Sequence, residues 1–503
     1  MKLEDIVKSI HFKSVTGSLS EPDIRQVDYD SRSVKPGSLF CALPGVVADG
    51  FDFVPKALEN GASAILSERP YPAESEVPWL QVGDARFAMA QAAAELHGHP
   101  SHEMPVIGVT GTNGKTTTAF LTHFLLQSNL RRAGMLGTVQ YQIADEIYDA
   151  ARTTPESPDI QRMLREMRDA DCRGAVMEVA SHGLVQHRTA EVRFAAGVFT
   201  NLSQDHLDYH GSMENYFNAK RMLFTQMNAQ GSPGTMVVNR DDRFADRLIK
   251  EAGRAFPNLK LLTFGLSVSA DFQASNIRSD FNGTQFTLKL KGRQLLVKVP
   301  LIGKFNVYNV LAALASAQAI DLNLREAVAH LEHAPQVPGR LESVSDRKIN
   351  YRVYVDYAHT PDALENALKT VRDLNPNRLI TVFGCGGDRD AKKRPLMGEA
   401  ADSASDLAIL TSDNPRTEDP MKIIRDTERG MKSGRYKVIE DRRDAIEAAI
   451  NLAGDRDIVL IAGKGHETYQ EIGTERFDFD DRLMARQCIA AKAEFEPEEE
   501  DEY

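Results

Sequence analysis

Apolar runs of strand length recur along the chain, and the clearest of them ends in glycines before a helical period begins. Val106-Ile107-Gly108-Val109-Thr110 is opened by Pro105 and closed by Gly111-Thr112-Asn113-Gly114. Beyond it Phe120, Leu121, Phe124 and Leu125 fall on one face of a helix. Strand, glycine turn and helix in that order predict the start of a doubly wound α/β domain. Residues 175 to 180 and 197 to 200 read as further buried strands. Residues 285 to 290 (QFTLKL) alternate between Asn282-Gly283 and Lys291-Gly292, which predicts antiparallel hairpins. After Arg340, strands at 379 to 383, 407 to 410 and 458 to 461 each run into a polar loop, at 384 to 389, 413 to 416 and 463 to 467. Ligands bind at the carboxyl ends of strands in open parallel sheets, so these three loops are expected to share a crevice.

The punctuation divides the chain. Residues 1 to 103 carry turn signals such as Lys35-Pro36-Gly37 and close on a polar stretch at 97 to 102, which marks a first domain. A central domain is expected over 104 to 338, ending at the PQVP of 335 to 338, and a third over 339 to 493. The predicted fold is α/β in three domains: a central P-loop-type, mostly parallel sheet with a small antiparallel β appendage, and a Rossmann-like C-terminal domain. Residues 494 to 503 hold seven acids and no base, a composition that cannot bury a core and predicts a disordered, solubilising tail.

Composition narrows the function classes. The 503 residues are 42% hydrophobic, with 60 basic and 72 acidic side chains and a net charge of −12; such a chain has material for several cores. No basic stripe exists for a nucleic-acid backbone. No apolar run is long enough to span a bilayer and residues 1 to 9 lack a signal-peptide core, so a cytoplasmic protein without membrane insertion is expected. Four separated cysteines with no C-x-x-C pair argue against a disulfide framework and a structural zinc site.

The chemistry concentrates at a few points. Gly111, Thr112, Asn113, Gly114, Lys115 and Thr116 follow a strand and open a helix, where backbone N–H groups and the helix dipole can cradle polyphosphate. Lys115 is suited to neutralising β- and γ-phosphate oxygens and the Thr116 hydroxyl to coordinating Mg²⁺. Val109 stands where the strict consensus has glycine, so the loop is a variant, and a plain tight turn is the alternative. Glu178 lies inside an apolar strand, where an unpaired carboxylate is costly; a cation is expected beside it, either a salt-bridge partner or Mg²⁺. His206 and His210 have i, i+4 spacing, but Gly211 follows at once and no HExxH surrounds them, which disfavours zinc. Lys220, on the helical segment 213 to 224, has the ordinary reading of a solvated helix lysine.

The runs GVTGTNGKTTT (108 to 118), MEVASHGLVQHR (177 to 188), NLSQDHLDYHG (201 to 211), GKFNVYNVLAALA (303 to 315), PGRLE (338 to 342), VDYAHTPDAL (355 to 364), GCGGDRD, SDNPR and AGKGHE together resemble the Mur ligase family of peptidoglycan synthesis. They span nearly the whole chain in the family's order and are most similar to its diaminopimelate-adding branch. The resemblance implies an ATP-dependent amide ligase whose substrates are ATP, UDP-N-acetylmuramoyl-L-alanyl-D-glutamate and meso-diaminopimelate; a monomer is expected, and three substrates on three domains suggest closure of the last domain before chemistry.

Roles follow by resemblance, position by position. Lys220 matches a lysine carbamylated by CO₂, which with Glu178 and His206 would help hold a second Mg²⁺. Thr117 extends the ATP loop, Asn306 and Asn309 match adenine-side residues, and Asp356 a ribose contact. Arg340 and His359 fall among the catalytic groups near ribose or terminal phosphates. For the two asparagines, capping or turning the chain is the competing explanation. Tyr29 and Ser31 match the uridine side of the first domain, and Thr153, Thr154, Ser181, Gln186 and Arg188 the grip on the muramoyl dipeptide. Arg152 and Ala180 depart from the family pattern beside these contacts.

An amino-acid pocket can also be argued physically. Meso-diaminopimelate ends in an ammonium and a carboxylate, so a selective site needs charges of both signs. Arg416 can take the carboxylate in a fork, Asp413 and Glu467 can accept from the ammonium, and Arg389 adds a second cation. Asn414, Pro415 and Gly463 complete the lining. Lysine would leave Arg416 without a partner, which predicts strong discrimination. A folylpolyglutamate synthase, a lysine-adding ligase and an ATP-driven switch protein stay open as alternatives.

Overall fold

The computed structural model describes residues 1–45, 48–70, 76–130, 132–345 and 349–495; most of the expected acidic tail lies outside them. The chain folds into two compact units: 1–275, 288–295 and 308–330 form one, and 276–287, 296–307 and 331 onward the other.

The first unit opens with a five-stranded sheet ordered Phe12–Thr16, Trp79–Val82, Ala62–Ser67, Ser38–Ala42, Gln26–Asp28. The first pair is antiparallel and the rest are parallel. The helix Ala85–Leu96, capped by the Asp84 carboxylate, buries a run of alanines, and small side chains let its backbone come close to the strands.

In the larger sheet of this unit, Val106–Thr110 is fully buried and lies between Ala175–Glu178 and Phe194–Phe199, with all three strands parallel. Gly234–Asn239 and Leu259–Gly265 extend one side in parallel. Gly134–Leu136 extends the other, followed by the antiparallel strands Gln140–Ile143 and Glu146–Asp149. Gly108 is required at the centre, because a Cβ there would come within 2.8 Å of the Phe194 ring. The predicted hairpin region forms as three strands, Phe272–Asp280, Gly283–Leu290 and Arg293–Val299, and the division between the two units passes through them.

The second unit carries a six-stranded sheet ordered Glu342–Ser343, Arg352–Asp356, Ile458–Ala462, Leu379–Phe383, Leu407–Leu410, Tyr436–Val438. Apart from the first pair it is parallel. The strands at 379, 407 and 458 are nearly continuous apolar runs because helices bury both faces. The crossovers put their following loops at one end of the sheet, as the strand pattern predicted.

Candidate active site

The phosphate loop of the first unit is shaped by two glycines at positive φ, Gly111 at 146° and Gly114 at 83°. A Cβ at Gly111 would sit 1.9 Å from Thr200 Oγ1 and one at Gly114 would sit 2.3 Å from Asn309 Oδ1; no other residue fits either position. The loop is clamped by the segment after the neighbouring strand Phe194–Phe199. Thr112 N donates to Asn201 O at 2.9 Å, Asn113 N to Asn201 Oδ1 at 2.9 Å, and Thr200 Oγ1 to Asn113 O at 2.6 Å. Two stretches some ninety residues apart in sequence therefore hold one rigid turn at the mouth of the helix Lys115–Leu130. Thr117 is buried at the start of that helix, and Thr118 Oγ1 reaches Asn309 Oδ1 at 3.3 Å.

Both lysines expected at the site converge on one carbonyl. Lys115 Nζ donates to Gly111 O at 3.0 Å and Thr112 O at 2.8 Å, and Lys220 Nζ donates to Gly111 O at 2.7 Å. The reading of Lys220 as a solvated lysine is overturned. On the helix Met213–Ala229 it falls on the apolar stripe of Tyr216, Phe217, Leu223 and Phe224, and only 1% of it is exposed. Its ammonium stands over the Tyr216 ring at 4.4 Å. Burial, assisted by the nearby Lys115 charge, holds its pKa well below the ordinary lysine range.

Glu178 is fully buried at the end of its strand, as predicted, but among the described residues no cation pairs with it. The carboxylate instead accepts from Thr138 N at 2.8 Å, Thr138 Oγ1 at 3.0 Å and Thr116 Oγ1 at 3.1 Å. Three donors satisfy the charge without an ion pair, an arrangement that pattern reading could not foresee because Thr138 lies on a separate loop. A carboxylate retained in a dry site beside a phosphate-loop hydroxyl has the donor chemistry of a Mg²⁺ site. His206 is exposed and sits at φ 51°, with Nε2 3.4 Å from Asp205 and its ring 4.9 Å from His182. Among the described residues no group of three His, Cys, Asp or Glu could hold a metal by itself. His210 turns inward, with Nε2 2.9 Å from Ser181 Oγ.

The expected acceptor residues surround this point. Thr154 Oγ1 donates to Glu178 O at 2.8 Å and accepts from Ala180 N at 2.9 Å. Thr153 Oγ1 lies 3.1 Å from Thr138 Oγ1, whose proton goes to Glu178. Arg188 donates to Thr154 O at 2.8 Å and to Gln186 Oε1 at 2.6 Å. Sequence reasoning missed Glu156, which is 3% exposed and collects Arg86, Arg152 and Arg188 at 3.2, 2.6 and 3.1 Å. The signal available was Arg152 itself, an unexpected cation four residues before an acid. Tyr29, from the first sheet's region, donates to Asp159 at 2.8 Å, and Ser31 is buried nearby in sequence with its carbonyl held by Asn60.

In the second unit Tyr357 gathers two expected groups and one that was not expected. Arg340 lies over its ring at 5.0 Å, the His359 ring is 4.5 Å away, and the unforeseen His466 is 5.0 Å away. Burial and the Arg340 and Arg482 charges depress His466 to about 4. Asp356 accepts from Leu341 N at 2.7 Å and Ala358 N at 2.9 Å, and burial raises its pKa. Asn306 Nδ2 donates to Ile302 O at 2.8 Å, the chain-turning use considered from the sequence.

The three loops do meet. Gly387 N donates to Asn414 O at 2.9 Å, and a Cβ at Gly387 would strike the Pro415 carbonyl. A Cβ at Gly463 would lie 2.3 Å from Asp413 Oδ2. Asn414 Nδ2 donates to Glu467 Oε2 at 2.9 Å, and Arg389 stays exposed at the rim. One expectation is corrected: lysine would not leave Arg416 wholly without a partner, because Arg416 has partners within the protein. Its Nε donates to Glu471 Oε2 at 2.8 Å and its Nη1 to Gly387 O at 2.9 Å. The hairpin of Tyr469–Ile472 and Glu475–Asp478 supplies that carboxylate, and nothing in the AGKGHE run announces it.

Comparisons with known proteins agree with this geometry. Models described as Mur ligase family catalytic domain, Mur ligase middle domain and Mur ligase glutamate ligase domain match residues 23–97, 109–317 and 339–465. The UDP-N-acetylmuramoyl-L-alanyl-D-glutamate--2,6-diaminopimelate ligases of Halalkalibacterium halodurans and Geobacillus kaustophilus are each 45% identical over 93% of this chain and 95% of theirs. A solved structure of a ligase with that name superposes with a TM-score of 0.72 at 36% identity, covering 98% of this chain and 99% of that one. Mycobacterium tuberculosis folylpolyglutamate synthase complexed with ADP and AMPPCP shares the fold at 21% identity, with a TM-score of 0.57 over 74% of this chain and 91% of that one. Phosphate loop, clamped helix entrance and parallel-sheet crevice thus coincide with whole-length similarity, and the chain belongs to the Mur ligase family of ATP-dependent amide ligases.

Proposed function

We propose that this ligase adds meso-diaminopimelate to UDP-N-acetylmuramoyl-L-alanyl-D-glutamate, a step of peptidoglycan precursor synthesis. The observation that carries the substrate choice is the meeting of Arg416, Asp413, Asn414 and Glu467 at one end of the second unit's sheet. A cation and two carboxylates there match an amino acid whose far end bears one charge of each sign.

The side-chain carboxylate of the D-glutamyl residue attacks the γ-phosphorus of ATP, giving an acyl phosphate and ADP. The diaminopimelate amine then adds to the acyl carbonyl, and the tetrahedral adduct expels inorganic phosphate to leave the amide. Neither step needs a nucleophile from the protein; both need like charges screened and reactants aligned. In this reading Gly111 to Thr117 cradle the polyphosphate, Lys115 leaves its own loop carbonyls for phosphate oxygens, and Thr116 and Glu178 hold Mg²⁺, with His206 a further ligand. Bound there, magnesium supplies charge neutralisation on the transferring phosphoryl group. The depressed basicity of Lys220 supplies the neutral amine that CO₂ needs: the nitrogen bonds to carbon, a proton leaves, and a carbamate oxygen becomes available as a ligand. Thr153, Thr154, Ser181, Gln186 and Arg188 grip the dipeptide, Tyr29 and Ser31 the uridine side. Asn309, Asn306, Asp356, Arg340 and His359 serve the nucleotide. In the same reading residues 1–103 form the acceptor domain, 104–338 the ATP domain and 339–493 the amino-acid domain.

Phosphate release tests the whole reading. Release should require ATP, the UDP-muramoyl dipeptide and meso-diaminopimelate together; steady release without the amino acid would favour an ATPase switch and end the proposal.

A further inference from the structure

Lys464 lies between Gly463 and Gly465 with none of its surface exposed. A lysine closed off from water must be matched by polar partners, and here the partners are pocket residues. Its Nζ donates to Asn414 Oδ1 at 2.9 Å and lies 3.3 Å from Glu467 Oε2, over the Tyr469 ring at 5.6 Å. Glu471 N also donates to Asn414 Oδ1, at 3.0 Å, so that oxygen is fully used and the carboxamide is fixed with Nδ2 toward Glu467. Both side-chain bonds to Glu467 end on Oε2, which leaves Oε1 for an incoming ammonium.

The charge balance leads the same way. Asp413 and Glu467 bring two carboxylates to a pocket that, on the proposed reading, receives one ammonium. The other buried cation near them, Arg442, is already taken by Asp481 through a fork of 2.7 and 2.7 Å. Lys464 is the cation that offsets the second negative charge.

We infer that Lys464 is a positioning residue of the amino-acid pocket, setting the Asn414 carboxamide and presenting Glu467 Oε1 to the far-end ammonium of the substrate. The inference rests on the diaminopimelate reading and goes beyond it by naming the group that orders the pocket. Lys464 itself touches no reacting atom. Removing its charge should therefore act through Glu467, weakening amino-acid binding while sparing the nucleotide and acceptor sites.

Steady-state kinetics of the full-length enzyme, varying each substrate in turn, test this. Lys464→Met keeps the stem and deletes the ammonium; KM for meso-diaminopimelate should rise about ten-fold or more, with KM for ATP and for the UDP-muramoyl dipeptide changed less than about two-fold. Glu467→Gln should have a comparable effect, and the double variant should be no worse than the worse single one, because the two groups act in series. Should Lys464→Met fail to fold, Asn414→Asp serves instead: it retains the acceptor for Lys464, loses the donor to Glu467, and should raise the same KM. An unchanged diaminopimelate KM in whichever variant folds, or additive losses in the double variant, would overturn the inference. Failure of the underlying reading looks different, since unmodified enzyme would then not turn over diaminopimelate at all.

Discussion

Thr116 Oγ1 and Glu178 Oε2 stand 3.1 Å apart across 62 residues of chain, the phosphate-loop hydroxyl donating to the strand-end carboxylate. The contact couples the glycine loop at the helix entrance to the fully buried acid beside it. Glu178→Gln keeps the shape but sets an NH₂ either against Thr138 N, the donor to Oε1, or against the Thr138 and Thr116 hydroxyls, the donors to Oε2, and removes the negative charge that suits a divalent cation. The expected outcome is a fall in kcat of about a hundred-fold with a raised Mg²⁺ requirement. Activity measured against magnesium concentration checks this, and an unaltered magnesium dependence would refute the assignment.

Lys220→Ala removes the only atom that a carbamate could be built on. Activity should collapse and return in part when a short-chain carboxylic acid is added, since its carboxylate can enter the space left by the lysine. The same buried position makes the stability effect small or favourable, because the substitution deletes a desolvated amine that, among the described residues, is hydrogen-bonded to Gly111 O. Full turnover in the variant without added acid would dispose of the role.

Legibility differed by the kind of signal. The strand at 106 to 110 and its loop were readable because glycine, lysine and threonine sit at fixed offsets from an apolar run. The three C-terminal loops were readable because parallel strands put their ends together. What escaped was long-range: Thr138 under Glu178, Arg86 on Glu156, and Glu471 on Arg416 each join residues tens of positions apart, with no periodicity to connect them. Read from the residue alone Lys220 passes for solvated, since a lysine on an apolar stripe of Tyr216, Phe217 and Leu223 looks like an ordinary surface residue until the helix is docked; the resemblance, not the pattern, singled it out.

Selectivity can now be stated with the corrected partner list. Lysine entering the pocket would not strand Arg416 in full, because Glu471 already occupies Nε; discrimination has to come from the carboxylate bonds that lysine cannot make. Turnover with lysine in place of meso-diaminopimelate should still fall about a hundred-fold or more. Arg416→Ala should lower kcat/KM for diaminopimelate far more than for lysine, so the ratio collapses. Equal use of both amino acids by the unmodified enzyme would contradict the pocket argument.

Stability should drop on acidification. His123, on the helix Lys115–Leu130, is buried with Nε2 3.3 Å from Ala133 O, and burial lowers its pKa from 6.5 to about 4. The unfolded chain binds that proton more readily than the folded one, so stability is complete above pH 6.5 and is lost as pH falls toward 4. The shift corresponds to about 3 kcal/mol at most. Urea midpoints between pH 7 and 4 should fall in the unmodified protein and fall less in His123→Leu; an identical slope in the two would assign the acid sensitivity elsewhere.

Arg442 and Asp481 form a fork with no exposed surface on either side chain, and Arg442 Nη2 also donates to Ala462 O at 3.0 Å. Desolvating both charges costs much of what their attraction returns, so the pair is worth little against an apolar replacement but a great deal against its own halves. Asp481→Ala leaves a buried guanidinium uncompensated and should destabilise by about 3–5 kcal/mol. Arg442→Met with Asp481→Leu removes both charges and should recover much of that loss, apart from the unsatisfied Ala462 carbonyl. Denaturant titration separates the cases: a double variant as unstable as Asp481→Ala would mean that the pair is held by its hydrogen-bond geometry to the strand end and not by charge balance. If stability returns while diaminopimelate KM rises, the fork has a second consequence. The strand ending at Ala462 leads directly into Gly463 and Lys464, so loosening it moves the same loop that presents Glu467.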